Sequence, residues 1–219
     1  MNERLERSLY RIGWREIERT TIPSMRQYGY RVKIVVYDNI MDALSYFKEN
    51  ELAVVSDAIS LAEELTFNDY KISANEWKRH RYDIKTLIDL KPEEIVAGPF
   101  AQIIRYEGRK VEDPLASSHY DFYKICLQDH AILRALDANK ALAFLPFVLY
   151  IVTHELIHIV RFSKFLQNFE ASLQEKLLEE SRVHEKTRAI LQNVSNVPIE
   201  PVFAFYRAWE KPIDDLRDV

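Results

Sequence analysis

Glycine is scarce in this chain of 219 residues: Gly13, Gly29, Gly98 and Gly108 are the whole complement. Glycine supplies most tight turns, so its scarcity argues against a many-stranded barrel or sandwich and for helices. Cysteine is scarcer still. Cys126 alone cannot form an internal disulfide, and the opening Met-Asn-Glu-Arg-Leu-Glu-Arg lacks the apolar core of a signal peptide, so a cytoplasmic location is expected. Within Tyr-Lys-Ile-Cys-Leu, Cys126 reads as a small buried core residue rather than a nucleophile. An excess of positive charge is also missing. A formal net charge of -4 and a pI near 5.9 give no long-range attraction to nucleic acid or anionic lipid. The one basic knot, Lys78-Arg79-His80-Arg81, reads as a solvated helix face. No apolar run has the length of a bilayer span: the longest, Ala141 to Val152, has 12 residues, against about 20 needed. It reads as a core helix, so neither a membrane nor nucleic acid is an expected partner.

What is present is enough apolar surface for a sizeable core, 47% of residues with 12% aromatic. Leu5, Leu9, Ile12 and Ile17 recur at helical spacing over residues 3 to 20. Tyr30 to Tyr37 alternates as a strand does, and Asp38 or Asn39 offers an N-cap for a helix from Ile40 to Lys48. Leu52 to Val55 is a short β-favouring run followed by a helical stretch to Leu65, so residues 30 to 65 read as a β-α-β-α unit or, equally, as a strand and two helices. No glycine-rich phosphate loop follows either strand, so Asp38 and Asp57 read as caps rather than nucleotide ligands. Helical spacing returns from Asn75 to Leu90, Pro99 to Glu107 suits a strand, and residues 119 to 137 read as a helix. A long helix is expected from Leu142 to about Asn168, starting or bending at Pro146, and another from Ser172 to Asn193. Beyond it, Pro198, Pro201 and Pro212 suggest a wrapped segment over 196–219 with one short helix near Phe203 to Trp209. Without a repeat or a linker, one domain over 1–219 is the simplest count, with a mixed α/β part over 30–110 and a helical part over 119–195.

The chemistry concentrates at Ile-Val-Thr-His-Glu-Leu-Ile-His-Ile-Val-Arg-Phe, residues 151 to 162. His154-Glu155-Leu156-Ile157-His158 is H-E-x-x-H inside an otherwise greasy helix. Residues four apart lie one turn above each other, so both imidazoles can reach one ion while Glu155 leans toward a water beside it. A tetrahedral site needs a third protein ligand, and the following helix offers Glu179, Glu180 and His184. With a chain reversal near Glu170 to Ser172, a rise of 1.5 Å per residue brings residue 184 level with His158 and Glu180 one turn away. Glu180 and His184 are the expected pair, as third and fourth ligands or as one ligand and the group that orients it. His130, next to Asp129, reads as a hydrogen-bonded core residue, and His80 and His119 as surface residues. Arg161 could pair with Glu155 or Glu180, and Tyr206, His130 and Arg161 are the candidate oxyanion donors.

The motif and its two helices, about 50 of the 219 residues, resemble the zincin metallopeptidases, in which the motif histidines bind zinc and the motif glutamate activates water. Arg161 and Lys164 stand where the metzincin extension requires glycine and a third histidine. The nearer likeness is to the gluzincin type, whose third ligand is a glutamate on a later helix. The resemblance implies an α+β, predominantly helical fold: H-E-x-x-H on a long buried helix packed against the next, with a small β-sheet. It implies one zinc ion, in preference to iron or manganese, on His154 and His158 with Glu179 or Glu180 as the third ligand and Glu155 as general base; with the helix register, the expected set is His154, His158, Glu180 and His184. A peptide or protein substrate would lie along an edge strand, for which Phe100 to Glu107 is the candidate. Three functions compete: a zinc hydrolase acting on peptides, a non-catalytic module clipped by a closed zinc site, and a di-iron or di-manganese protein using Glu155-x-x-His158. The last needs a second E-x-x-H, which the chain lacks.

Overall fold

The computed structural model describes residues 21–22, 25–27, 44–77, 82–109, 119–168 and 171–207. In chain order the strands are β1 Thr21–Ile22, β2 Met25–Gln27, β3 Tyr82–Lys85, β4 Ala101–Arg109 and β5 His119–Leu127. The helices are α1 Glu49–Tyr70, α2 Ala74–Trp77, α3 Asp129–Ala138, α4 Phe144–Ser163, α5 Leu173–Leu191 and α6 Glu200–Arg207. The fold is thus α+β with helix predominant among the described residues. The chain divides into two compact units, each assembled from separate stretches: Met1–Phe47 with Arg81–Leu133, and Lys48–His80 with Arg134–Val219. This grouping differs from the expected parts at 30–110 and 119–195. Helix α1 belongs with the helical unit and strand β5 with the sheet, so no single cut of the sequence separates the two.

The first unit carries a five-stranded sheet in the order β1-β2-β4-β5-β3. β3 runs parallel to β5, and the remaining neighbours are antiparallel, with Ala101 opposite Leu127 and Arg109 opposite His119 along the central pair. Ile103, Ile104, Ile125, Cys126 and Leu127 are all fully buried. Consecutive buried residues mean that both faces are covered at this end of the strands, which removes the alternation a half-exposed strand would show. Cys126 is a core residue, as expected. Below the sheet, the buried Asp129 carboxylate accepts from Phe47 N–H at 3.1 Å and Leu87 N–H at 3.0 Å. His130 is also buried, its Nε2 3.1 Å from the Val96 carbonyl. Glu94, equally buried, accepts from Lys124 Nζ at 2.7 Å and Tyr106 OH at 2.9 Å.

In the second unit α4 packs against α1, α5 and α6. Every side chain from Pro146 to Val160 is buried, as a helix apolar on all sides requires. Pro146 lies in the first turn, where its missing N–H forfeits no intrahelical bond. α1 meets the core through Val55, Ala58, Ala62 and Thr66, a stripe at helical spacing. α4 has the length and apolar composition of a membrane span, yet 78% of its most apolar stretch is buried inside the unit. It ends in a turn in which Phe165 N–H donates to Phe162 O at 3.0 Å and Leu166 N–H to Arg161 O at 2.9 Å, with Phe165 at φ 54°. That is a Schellman motif with phenylalanine where glycine is usual. α5 starts from a capping box, the Ser172 hydroxyl accepting from Glu175 N–H while the Glu175 carboxylate accepts from Ser172 N–H at 2.8 Å.

Several sequence expectations are corrected. Residues 119 to 137 are not one helix but β5 followed by α3, and Leu52 to Val55 is not a strand but part of α1. The helix expected from Asn75 to Leu90 shrinks to α2, after which β3 pairs with β5. Residues 44–48 have no regular structure, so α1 begins where the helix ending at Lys48 was expected to stop. The expected helix over 3–20, the strand over 30–37, the basic knot 78–81 and the segment after 207 lie outside the described residues. β4 is not an edge strand over its second half, because β2 pairs with Tyr106 to Gly108 while β5 holds its other side.

Candidate metal centre

Tyr150, His154 and His158 follow one another at four-residue spacing and so share one face of α4. Opposite them α5 presents Glu180 and His184, again four apart. His154 Nε2 lies 3.2 Å from Glu180 Oε2, His158 Nε2 lies 3.2 Å from Glu180 Oε1, and the two Nε2 atoms are 3.1 Å apart. The two imidazole nitrogens and the carboxylate, each nitrogen facing a different oxygen of it, therefore form a roughly triangular cluster. Zinc bonds of about 2.0–2.1 Å to nitrogen and oxygen in a tetrahedron set neighbouring donors roughly 3.3 Å apart, and the 3.1 Å between the two nitrogens is close to that spacing. A second trio overlaps it: ligand atoms of His154, Glu180 and His184 lie within 4.8 Å of one another. The registry is one turn off the expectation, with Glu180 rather than His184 level with His158. α4 ends at Ser163 instead of near Asn168, so the chain turns back sooner.

The groups around this triangle orient the rings. His158 is fully buried and its Nδ1–H donates to Gln167 Oε1 at 3.2 Å. His184 Nδ1 shares a hydrogen bond of 2.8 Å with Tyr150 OH. His154 Nδ1 is buried and has no partner among the described residues. Tyr206 from α6 stacks on Tyr150, with ring centroids 4.2 Å apart, and its ring centroid lies 5.4 Å from that of His184. Of the three expected oxyanion donors only Tyr206 is at the site. His130 belongs to the sheet unit, and Arg161 forms a two-pronged ion pair with Glu179, Nε to Oε1 and the second guanidinium nitrogen to Oε2 at 3.1 Å. Arg161 therefore pairs with neither Glu155 nor Glu180, and Glu179 faces the guanidinium instead of the two histidines. Tyr150 and Gln167 escaped the sequence reading. Tyr150 could have been found as the same helical face continued one turn upstream.

Burial and charge set the protonation of these groups. Burial pushes the Glu180 carboxyl upward, but His158 and His154 outweigh it and hold the group well below its ordinary range. Burial pushes His158 downward, and Glu180 with Gln167 reverses this to a net rise. His184 is driven down to about 3 by burial and then by the charge of His154, so it stands as a neutral imidazole. Glu155, also buried, is raised by burial against the opposing pull of His154 and His158. Burial, with Tyr150 and Glu155 adding to it, raises Tyr206 well above the usual phenol value, leaving a neutral hydroxyl. The site thus combines a firm carboxylate at Glu180, a neutral imidazole at His184, a His158 ring whose charged form is favoured, and a carboxyl at Glu155 whose neutral form is favoured. Compared with protein-family models, curated proteins and solved structures, the chain matches none.

Proposed function

We propose that this chain is a zinc-dependent hydrolase acting on peptide bonds, of zincin-like chemistry and gluzincin type. The observation that carries the reading is the convergence of His154 Nε2, His158 Nε2 and the Glu180 carboxylate at 3.1–3.2 Å from helices α4 and α5. Two imidazoles and a carboxylate are a hydrolytic zinc set, with a fourth position left for water. Zinc bound there would act as a Lewis acid and bring the pKa of a water toward 7. Glu155 takes the proton from that water and passes it to the leaving amine; its burial-raised carboxyl suits both halves of that task. The commitment of Arg161 to Glu179 supports this role, because a guanidinium on Glu155 would have pinned it as a carboxylate. Tyr206, a neutral phenol, is the donor for the developing oxyanion. The lack of a second E-x-x-H favours one zinc ion over a pair of iron or manganese ions. The charge of -4 and the mostly buried α4 favour a soluble, cytoplasmic protein without nucleic-acid or membrane partners.

A second reading has one observation behind it. His184 lies close enough to His154 and Glu180 to become a fourth ligand, which would close the site and make it a structural clip for an interaction module. Glu155→Gln separates the two. On the hydrolytic reading it keeps stoichiometric zinc and loses about 10²–10⁴-fold in peptide hydrolysis; unimpaired hydrolysis in that variant overturns it. X-ray absorption finding four protein ligands and no water oxygen would favour the clip.

A further inference from the structure

We propose that Gln167 is the positioning residue of this centre, fixing the proton of His158 on Nδ1 so that Nε2 is held for the ion. The inference rests on the metal reading above and adds to it a residue outside both helices. A neutral imidazole carries its proton on either nitrogen, and only the nitrogen without it can bind a metal. His158 is fully buried, so bulk solvent does not reach the ring. The Gln167 amide oxygen, 3.2 Å from Nδ1, can only accept and so holds a proton there, while at Nε2 the Glu180 carboxylate, 3.2 Å away, accepts the proton that an ion would displace. The other two rings lack such a selector. His184 meets a tyrosine hydroxyl, which donates or accepts equally well, and His154 Nδ1 has no partner among the described residues.

The backbone is shaped to make this contact. Nine residues of continued helix would carry Gln167 roughly 13 Å along the axis from His158. Instead the Schellman turn at Lys164 to Leu166 folds the chain back onto the last turns of α4, with Phe165 in the left-handed region although it is no glycine. The Gln167 amide nitrogen is buried without a partner among the described residues, so the contact of its oxygen is what holds the amide there.

The test uses the full chain and zinc itself. Competitive titration against a chromophoric chelator compares wild type, Gln167→Leu and Gln167→Glu, and nitrogen-15 NMR reads the protonation of the His158 ring. Gln167→Leu is expected to bind zinc about 10- to 100-fold more weakly, with loss of the slowly exchanging His158 Nδ1–H signal. Gln167→Glu, whose carboxylate accepts the same proton, is expected to restore both. Wild type binding one zinc while Gln167→Leu binds equally well, or Gln167→Glu as weak as Gln167→Leu, overturns the inference and leaves the metal reading intact. Wild type that takes up no zinc removes the metal reading and this inference with it. Were Gln167→Leu unable to fold, the wild-type NMR alone decides, because zinc on Nδ1 of His158 refutes the assignment.

Discussion

Removing zinc should lower the melting temperature by a predictable amount. The three donors already stand 3.1–3.2 Å apart, so binding requires little rearrangement of the folded chain. In the unfolded chain Glu180 is 26 positions from His154, and only the two motif histidines remain neighbours in sequence. Zinc therefore favours the folded state. At a free concentration 1,000-fold above Kd the linkage is worth about 4.1 kcal/mol. For a chain of 219 residues, each kcal/mol moves Tm by about 2–4 °C, so the shift should be roughly 8–16 °C. The assay is a far-UV circular dichroism melt with zinc and with excess chelator, repeated on Glu180→Leu, which removes the α5 arm of the triangle. Glu180→Leu should lose most of the zinc-dependent rise. If zinc-loaded and chelated wild type melt together, or if Glu180→Leu keeps the full shift, the donors do not act as one site.

Other perturbations probe features independent of zinc. Lys124→Met leaves the Glu94 carboxylate buried beside Tyr106 without its cation and should cost about 3–5 kcal/mol in urea unfolding. Burial opposes ionisation of Glu94, but Lys124, Lys91 N–H and Tyr106 outweigh it and hold its pKa below the ordinary value. Because the folded pKa is the lower one, this stabilisation is complete above about pH 4.3 and fades as pH falls through the folded value, a slope Glu94→Gln should flatten. Arg161→Leu strips Glu179 of its main partner, leaving among the described residues the largely exposed Arg182 at 3.4 Å. It should destabilise by about 3 kcal/mol while calorimetry still counts one zinc per chain. Phe165 is 95% exposed at φ 54°; Phe165→Gly relieves a left-handed conformation costing about 1–2 kcal/mol and should raise the urea midpoint.

The helices that carry the site were legible because their signals are local. An all-round apolar run marked α4, Ser172 marked the start of α5, and four-residue spacing put His154 with His158. The sequence favours Glu180 over Glu179 because it lies one turn from His184 on the same side, and the structure turns Glu179 to Arg161 instead. The sheet was harder to read. Over Tyr123 to Leu127 both faces of β5 are covered, so its apolar residues run on without alternation and mimic a helix. β3 is four residues held by parallel pairing to β5, a partner about forty positions away that no local window contains. Gln167 carries no motif at all. Its contact exists because a non-glycine residue accepts a left-handed turn, which propensity argues against.

The interleaving of the two units bears on how the chain must be made. Helix α1 is complete by Tyr70, but α4, against which it packs, is not finished until Ser163. At about 5–20 residues per second on a ribosome, the apolar side of α1 waits on the order of 5–20 s for its mate, while strands β3, β4 and β5 are synthesised in between. Val55, Ala58, Ala62 and Thr66 are then a standing target for a chaperone, and nascent chains halted before α4 should be the ones that aggregate or are captured.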